Sequence, residues 1–381
     1  MKKILTVIGA RPQIIKAAAI SRAISEHFPD ALQEVILHTG QHYDTNMSEV
    51  FFEEMGIPRP DINLQVGSGS HGEQTARMLD GIEKALLDHR PDALLVYGDT
   101  NSTLAGALAA AKLHIPVVHV ESGLRSFNKR MPEELNRITC DHCSTLLFVP
   151  TQQGMVNLKR EGFNMDSQPP YTMDNPAVFH CGDVMYDNSR YFAQPEVNAS
   201  EVLEKLNLVG KPFVLCTVHR DSNTDNPTRL NAIFRSLLHI AYEHDKLIVL
   251  PLHPRTLKYL NVNLDPDVYE SVVNCPNIVL TDPVSYLDMV MLESRAEMVI
   301  TDSGGVQKEA FFFEKPCIIL RSETEWVELV ENGNAIIADA DQERILAAFD
   351  QMNDRGDFTY PQYYGDGMAA RFICHTILEY L

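Results

Sequence analysis

At 381 residues the chain is longer than the roughly 250–300 residues at which a single hydrophobic core stops growing, so two domains are expected. Its 45% hydrophobic and 22% charged residues, without any low-complexity tract, argue against extended disorder. The net charge of −20 argues against nucleic acid or anionic membrane as a partner, since both need Lys and Arg set against phosphates; an anionic ligand has to be gripped locally.

The opening stretch MKKILTVIGARPQIIKAA has two lysines and a short apolar run. Arg11 and Lys16 interrupt that run and no small-residue cleavage site follows, so it reads as strand and helix rather than as a signal peptide. No apolar stretch approaches the ~20 residues of a membrane span, and the expected location is the cytoplasm. Short β-branched runs then alternate with longer helical patterns. The predicted strands are 4–9, 34–40, 93–99, 117–121 and 145–151, and the predicted helices Gln13–Glu26, Asn46–Met55, Gln74–Asp88, Ser102–Lys112 and Glu133–His142. Strands apolar on both faces imply a parallel sheet covered by helices. The aperiodic, Pro-bearing segment around 163–176 reads as a loop or domain boundary. Beyond it a second series has strands at 213–219, 247–254, 277–283, 298–305 and 316–320, and the tail from Gly367 to Leu381 looks helical. The fold class is α/β: two Rossmann-like, doubly wound parallel-sheet domains with a cleft between them. Seven cysteines in apolar or helical settings, without metal-type spacing, read as reduced core thiols.

Ligands of open α/β sheets sit at the carboxyl ends of the strands, and here those ends are polar. The first strand runs into Gly9-Ala10-Arg11-Pro12 and a helix carrying Lys16, which is either an anion-binding turn or an ordinary βα turn with a solvated Arg. The third ends at Gly98-Asp99, where Asp99 is either a helix cap or a functional acid. The fourth ends at Glu121, too costly to bury unless it is functional or paired, with Arg125 or Arg137 as structural partner. In Met131-Pro132-Glu133-Glu134, Glu134 reads as complementing the helix dipole, while Glu133 stands four residues before Arg137 and can pair with it. The convergence of three such ends suggests carboxylates serving as general acid and base. In the second half, His219-Arg220 ends a strand, and Asp302-Ser303-Gly304-Gly305 leads into a helix, a pattern suited to gripping phosphate, with Glu309 one turn on. His253 reads as a satisfied core or loop histidine, and His38, His119 and His180 lie in strands without metal-like spacing, so no metal site is expected; His42 follows the second strand and could line the cleft.

Taken together, GARPQIIKAA, TGQHYD, GDTNSTLAGALAA, HVESGLRS, MPEELNR, TVHR and TDSGGVQKEA occur in this order between Ile4 and about Glu309 and resemble the non-hydrolysing UDP-N-acetylglucosamine 2-epimerases. The resemblance implies a glycosyltransferase-B architecture: residues 1–170 as the domain bearing the acids, 171–365 as the UDP-binding domain, and 366–381 as a helix returning to the first. It also implies a cytoplasmic homodimer, a UDP-sugar substrate, and no metal or nicotinamide cofactor. Carried over, the family's acids fall on Asp99, Glu121 and Glu133. Its nucleotide and phosphate contacts fall on Arg11, Lys16, His219, Ser303, Gly304, Gly305 and Glu309, with Arg137 beside the acids, His42 in the cleft, and His219 counted with the catalytic groups because it attends the departing diphosphate. The chain departs from the family pattern at Lys308, where a second acid usually stands, at Thr324-Glu325-Trp326-Val327-Glu328, and in the loop Gly67–Gln74, which lacks an arginine. Relatives sharing the Trp-bearing segment include UDP-2,3-diacetamidoglucuronate 2-epimerases, the alternative substrate. A glycosyltransferase of the same architecture is the rival from another reaction class, although the first domain shows no basic amphipathic surface for an acceptor. A hydrolysing epimerase and a non-catalytic sensor rank below it.

Overall fold

A computed structural model describes residues 1–41, 52 and 55–381. The chain divides into two compact units, Met1–Asn188 with Gln362–Leu381, and Ser189–Pro361. His42, and all but Phe52 and Met55 of the predicted helix Asn46–Met55, fall outside the described residues.

The first unit runs β1 (Lys2–Ile8), α1 (Arg11–His27), β2 (Leu32–His38), β3 (Ile62–Asn63), α2 (His71–His89), β4 (Ala93–Tyr97), α3 (Asn101–Lys112), β5 (Val117–Val120), α4 (Pro132–Cys143), β6 (Leu146–Val149), α5 (Gln152–Arg160) and β7 (Ala177–His180). Its seven strands form one sheet in the order β3-β2-β1-β4-β5-β6-β7, every neighbouring pair parallel. The strand order reverses direction next to β1, between it and β4, which is where a doubly wound sheet opens a crevice for ligand. Gly9 closes β1 because a side chain there would collide with the hydroxyls of Ser102 and Thr39, each 2.1 Å from where its Cβ would stand. Gln13 fixes the following turn: its carbonyl accepts the Gly9 and Ala10 N–H groups at 2.9 and 3.1 Å, and its amide donates to the Tyr97 carbonyl at 3.0 Å.

Helix α6 (Val184–Phe192) spans the boundary between the units. The second unit continues with α7 (Val202–Lys205), β8 (Val214–Thr217), α8 (Asp221–Thr224), α9 (Pro227–Glu243), β9 (Ile248–Pro251), α10 (Pro254–Asn263), α11 (Pro266–Asn274), β10 (Ile278–Thr281), α12 (Tyr286–Arg295), β11 (Met298–Thr301), α13 (Gly304–Phe312), β12 (Cys317–Ile319), α14 (Val327–Glu331), β13 (Ala335–Ile337) and α15 (Gln342–Asn353). Its six-stranded parallel sheet has the order β10-β9-β8-β11-β12-β13. Each sheet has its own core, built around Leu5, Val7, Leu94, Val96 and Ile82 in the first unit and around Val214, Phe234, Ile248, Ile300 and Phe349 in the second.

The sequence boundary at 170 needs correction. The Pro-bearing loop connects α5 to β7, and β7 adds a seventh strand to the first sheet by pairing with β6, Leu146 opposite Ala177 through Val149 opposite His180. The first unit therefore reaches Asn188. The chain rejoins that unit at Gln362 and ends in α16 (Ala369–Tyr380), which packs on α1. Among the described residues no helix is long and apolar enough to cross a membrane.

Asp187 caps α16 by accepting the Ala369 and Ala370 N–H groups at 3.2 and 2.8 Å. Burial pushes its carboxyl up from 3.8 to about 6, against those two hydrogen bonds and with help from Asp183. A carboxyl that holds its proton more tightly folded than unfolded stabilises the fold below its unfolded value, and that contribution is lost as pH rises through the folded one. From 3.8 to about 6, the effect is on the order of 3 kcal/mol. Asp187→Asn, which stays neutral, is expected to lack this decline. The gap in thermal midpoint between wild type and variant should therefore change between pH 4 and 6 and level off above; a gap constant across that range would refute the assignment.

Candidate active site

In the first unit the ends of β4 and β5 and the start of α4 place the acids. After Tyr97 the chain turns at Gly98, which has a positive φ of 61°. A Cβ at Gly98 would lie 3.1 Å from Glu121 Oε2 and 3.2 Å from Lys16 Nζ, so the bare backbone makes room for that pair. Thr100, not Asp99, caps α3 by accepting the Thr103 N–H. Asp99 is thus released from the structural role open to it in the sequence, and its carboxylate meets Arg137 Nη2 at 2.5 Å. Burial is the largest influence on Asp99 and raises its carboxyl above the ordinary range; Arg137 and Lys16 oppose this, and the charges of Glu121 and Glu133 add to it. Asp99 therefore stands in electrostatic reach of both other candidate acids.

Glu121 adopts a φ of 73°, a left-handed conformation uncommon for a residue with a side chain and one that stores strain where it occurs at a site. The N–H groups of Glu121 and Ser122 both donate to the Phe148 carbonyl, at 3.1 and 3.0 Å, which holds the turn. Its carboxylate forms an ion pair with Lys16, each side chain keeping 12% exposure. The structural partners considered in sequence, Arg125 and Arg137, are engaged elsewhere: Arg125 with Asp141 and Glu161, Arg137 with Asp99 and Glu134. Lys16 is 105 residues away from Glu121 along the chain, and only the β1–α1 turn brings it there.

Pro132 opens α4, with Glu133 exposed and Glu134 buried in its first turn. Glu134 does more than complement the helix dipole. It accepts the Ser126 and Phe127 N–H groups at 2.9 Å each and the Ser126 hydroxyl at 3.1 Å, fastening the loop before the helix. Burial raises its proton affinity, but these donors and Arg137 outweigh it and hold the carboxyl below the ordinary range. Arg137 pairs with Glu134 and Asp99 in place of the Glu133 contact that the spacing allows. Arg11 is exposed at the first position of α1. Asp99, Glu121, Lys16 and Arg137 are thus brought together at the carboxyl edge of the sheet, with one carboxyl pushed up and another bound to a lysine. Such unlike environments suit an acid and a base.

In the second unit, His219-Arg220 follows the end of β8 and Asp302 the end of β11. Asp302 is fully buried, and its carboxylate accepts the His219 and Arg220 N–H groups at 3.0 Å and the Asn223 amide at 3.1 Å, with His219 Nδ1 at 3.3 Å. Burial lowers the His219 imidazole below its ordinary value; Asp302 opposes this, while His253 and Arg220 add to it. Ser303 caps α13 by accepting the Val306 N–H, and the first N–H groups of the helix, at Gly304 and Gly305, have no partner within it. A Cβ on Gly304 would stand 3.5 Å from Arg321 Nη1, 3.6 Å from Glu325 Oε2 and 3.9 Å from Arg220 Nη2. Two guanidiniums therefore stand at a helix N-terminus, Arg321 paired with the Glu325 carboxylate at 3.0 and 3.1 Å, and the open N–H groups of the helix with Arg220 offer a place for an anion. Glu309 Oε2 lies 3.8 Å from where a Gly305 Cβ would be. The two departures at 308 and 326 meet here: the Lys308 ammonium sits 4.6 Å from the Trp326 ring centre, and the Trp326 indole donates to the Gly304 carbonyl at 2.8 Å.

Sequence reasoning missed Arg321, Gln13 and the partnership of His119 with Asp141. Arg321 directly follows the apolar run 316–320, so inspecting what comes after every predicted strand would have found it. Gln13 carries no signal beyond its place in the first turn of a helix.

A family model described as UDP-N-acetylglucosamine 2-epimerase matches residues 25–378. A UDP-2,3-diacetamido-2,3-dideoxy-D-glucuronate 2-epimerase of Pseudomonas aeruginosa is 47% identical over 382 residues, covering 100% of this chain and 99% of that protein. A UDP-N-acetylglucosamine 2-epimerase homolog of Methanococcus maripaludis is 46% identical over 369 residues, 97% of each. The crystal structure of Methanocaldococcus jannaschii UDP-GlcNAc 2-epimerase in complex with UDP-GlcNAc and UDP matches with a TM-score of 0.82 at 39% identity, covering 99% of each chain.

Proposed function

Because the chain belongs to the UDP-N-acetylglucosamine 2-epimerase family, we propose that it inverts carbon 2 of UDP-N-acetylglucosamine to give UDP-N-acetylmannosamine, without net hydrolysis, for surface polysaccharide synthesis. Carbon 2 is not adjacent to a carbonyl, so its proton cannot be removed to an enolate. In the proposed route a base takes that proton while the bond from carbon 1 to the diphosphate oxygen breaks, UDP leaving with the electron pair in an anti elimination. The 2-acetamidoglycal so formed then receives UDP back at carbon 1 and a proton at carbon 2 on the other face, by syn addition. Atoms balance without a cofactor. Asp99, Glu121 and Glu133 serve the proton transfers, with Lys16 and Arg137 setting their charge. Ser303, Gly304, Gly305, Arg220 and Arg321 receive the diphosphate, Glu309 the ribose, and Arg11 and His42 complete the substrate contacts. The observation that carries this reading is Asp99, its carboxyl pushed up beside a lysine-paired Glu121 at the end of a neighbouring strand. The same reading gives a cytoplasmic homodimer with neither nucleic acid nor membrane as partner, in keeping with the net charge of −20.

Incubation with UDP-N-acetylglucosamine in heavy water tests it. The manno epimer carrying deuterium at carbon 2 is expected. Retained protium with no epimer would overturn the assignment, and a parallel incubation with UDP-2,3-diacetamidoglucuronate would then show whether that sugar is the substrate. His219→Ala is expected to weaken UDP binding by about tenfold or more, a charge-assisted contact being worth about 1.5–3 kcal/mol. The wild-type affinity should also fall as pH rises through the lowered range of this imidazole, because its protonated form adds a charge attraction to the diphosphate that the neutral form lacks. Calorimetric titration checks both; an unchanged affinity in the variant would refute the role.

A further inference from the structure

His119 is the one polar residue of β5, which otherwise reads Val117, Val118, Val120. Its ring is 1% exposed, and both nitrogens face acceptors: Nδ1 lies 2.7 Å from Asp141 Oδ1, and Nε2 2.8 Å from the Gly98 carbonyl. A carbonyl oxygen cannot donate, so Nε2 carries a proton. Asp141, with no exposure, is kept ionised by Arg125, whose Nη2 meets its other oxygen at 2.7 Å, so Nδ1 donates as well. The imidazole is therefore a buried cation. Although burial alone would lower its proton affinity, Cys140 and Asp141 raise it well above the ordinary value. Asp141 also accepts the Gly123 N–H at 3.1 Å, and Arg125 reaches Glu161 at 2.7 Å and the Leu124 carbonyl at 2.7 Å.

The two ends of this chain of charges grip two different loops. His119 holds the carbonyl of Gly98, whose peptide leads directly into Asp99. Asp141 and Arg125 hold the backbone from Gly123 to Leu124, two to three residues past Glu121. Buried ion pairs of this kind contribute little net stability against apolar replacements of similar volume, and their best-attested use is to specify one arrangement over others. We infer that His119, its ring set by Asp141, is a positioning residue whose bond to the Gly98 carbonyl fixes the peptide leading into Asp99, and with it the Asp99 carboxyl beside Glu121, for the proton transfers at carbon 2. This rests on the reaction proposed above.

Two substitutions separate the contacts. Gln at 119 keeps a donor at the reach of Nε2 toward Gly98; Asn keeps a donor toward Asp141 but falls short of Gly98. His119→Asn is expected to lower kcat by about a hundredfold, the scale of a small misplacement of reacting groups, with KM within about threefold. His119→Gln should recover most of that loss. The second readout needs no turnover: the Asp99 carboxyl, faced by Arg137, Lys16, Glu121 and Glu133, is titrated by carbon-13 NMR with Asp99→Asn identifying its signal. Its midpoint should move in His119→Asn and return in His119→Gln. If the wild type does not epimerise the sugar, the proposed reaction falls while the NMR comparison still decides the positioning. An Asp99 midpoint identical in wild type and both variants, or equal losses of kcat in both variants that track their thermal midpoints, would overturn the inference.

Discussion

Asp99→Asn, Glu121→Gln and Glu133→Gln are each expected to lower turnover of UDP-N-acetylglucosamine by about two to four orders of magnitude, the scale of losing a positioned acid or base. Each change keeps the shape of the side chain and removes its ability to exchange a proton. Asp99→Asn leaves Arg137 with Glu134 as its remaining ionic partner and removes the carboxyl that burial has pushed up. Glu121→Gln leaves the Lys16 ammonium facing a neutral amide inside a turn whose strain is held by other bonds, so the fold should survive while the charge balance changes. Glu133 is exposed, and its loss should cost almost no stability. Groups that act as one unit are not additive, so the triple variant should be little slower than the slowest single one. The affinity for UDP, which the second unit is proposed to hold, should stay within about threefold throughout. Steady-state rates beside UDP titrations make the comparison, and near-wild-type turnover in all three single variants would remove the mechanism.

Much of the fold is legible because a buried parallel strand must be apolar on both faces. The runs around Ile4, Val35, Leu95, Val118 and Phe148 each sit inside an observed strand. The predicted strands overrun at their carboxyl ends, as 93–99 does against the observed Ala93–Tyr97. Those overruns hold the residues that matter: Gly98, Asp99 and Glu121 look like strand continuations in one dimension and are loops in three, because positive φ at Gly98 and Glu121 turns the chain out of the sheet. The edge strands of the first sheet escaped. β3 is two residues long, and β7 directly follows a Pro-bearing loop, whose composition pointed to a boundary. The residue types of the site were readable, but their partners were not. Glu121 has Arg125 four residues away in sequence, yet Arg125 is drawn off by the buried Asp141, leaving Lys16 of α1 to pair with it. His119 looked like an ordinary strand histidine because nothing local shows that the Gly98 carbonyl and Asp141 flank its ring.

Asp302 is where one substitution should do the most damage to the second unit. Its carboxylate is the acceptor for two successive backbone N–H groups, at His219 and Arg220, and for the amide of Asn223, which also donates to the Leu320 carbonyl at 2.9 Å. It thereby ties the ends of β8, β11 and β12 at one point. Asp302→Ala leaves these donors inside the protein without their acceptor, at about 1–3 kcal/mol for each that water cannot reach. With partial relaxation, the expected loss of stability is about 3–5 kcal/mol, the range for removing one partner of a buried charged contact. Asp302→Asn retains one acceptor oxygen and should cost less. Both should weaken UDP binding if it is held as proposed, since the turn that Asp302 fixes carries Arg220 to the start of α13, and a slack turn gives up its preorganised geometry. Chemical denaturation read by circular dichroism without ligand, beside UDP titrations under native conditions, distinguishes the two effects. Asp302→Ala should shift the midpoint strongly and Asp302→Asn modestly, while both lose affinity under conditions where the protein remains folded. A wild-type midpoint in the alanine variant would mean that the donors find other acceptors.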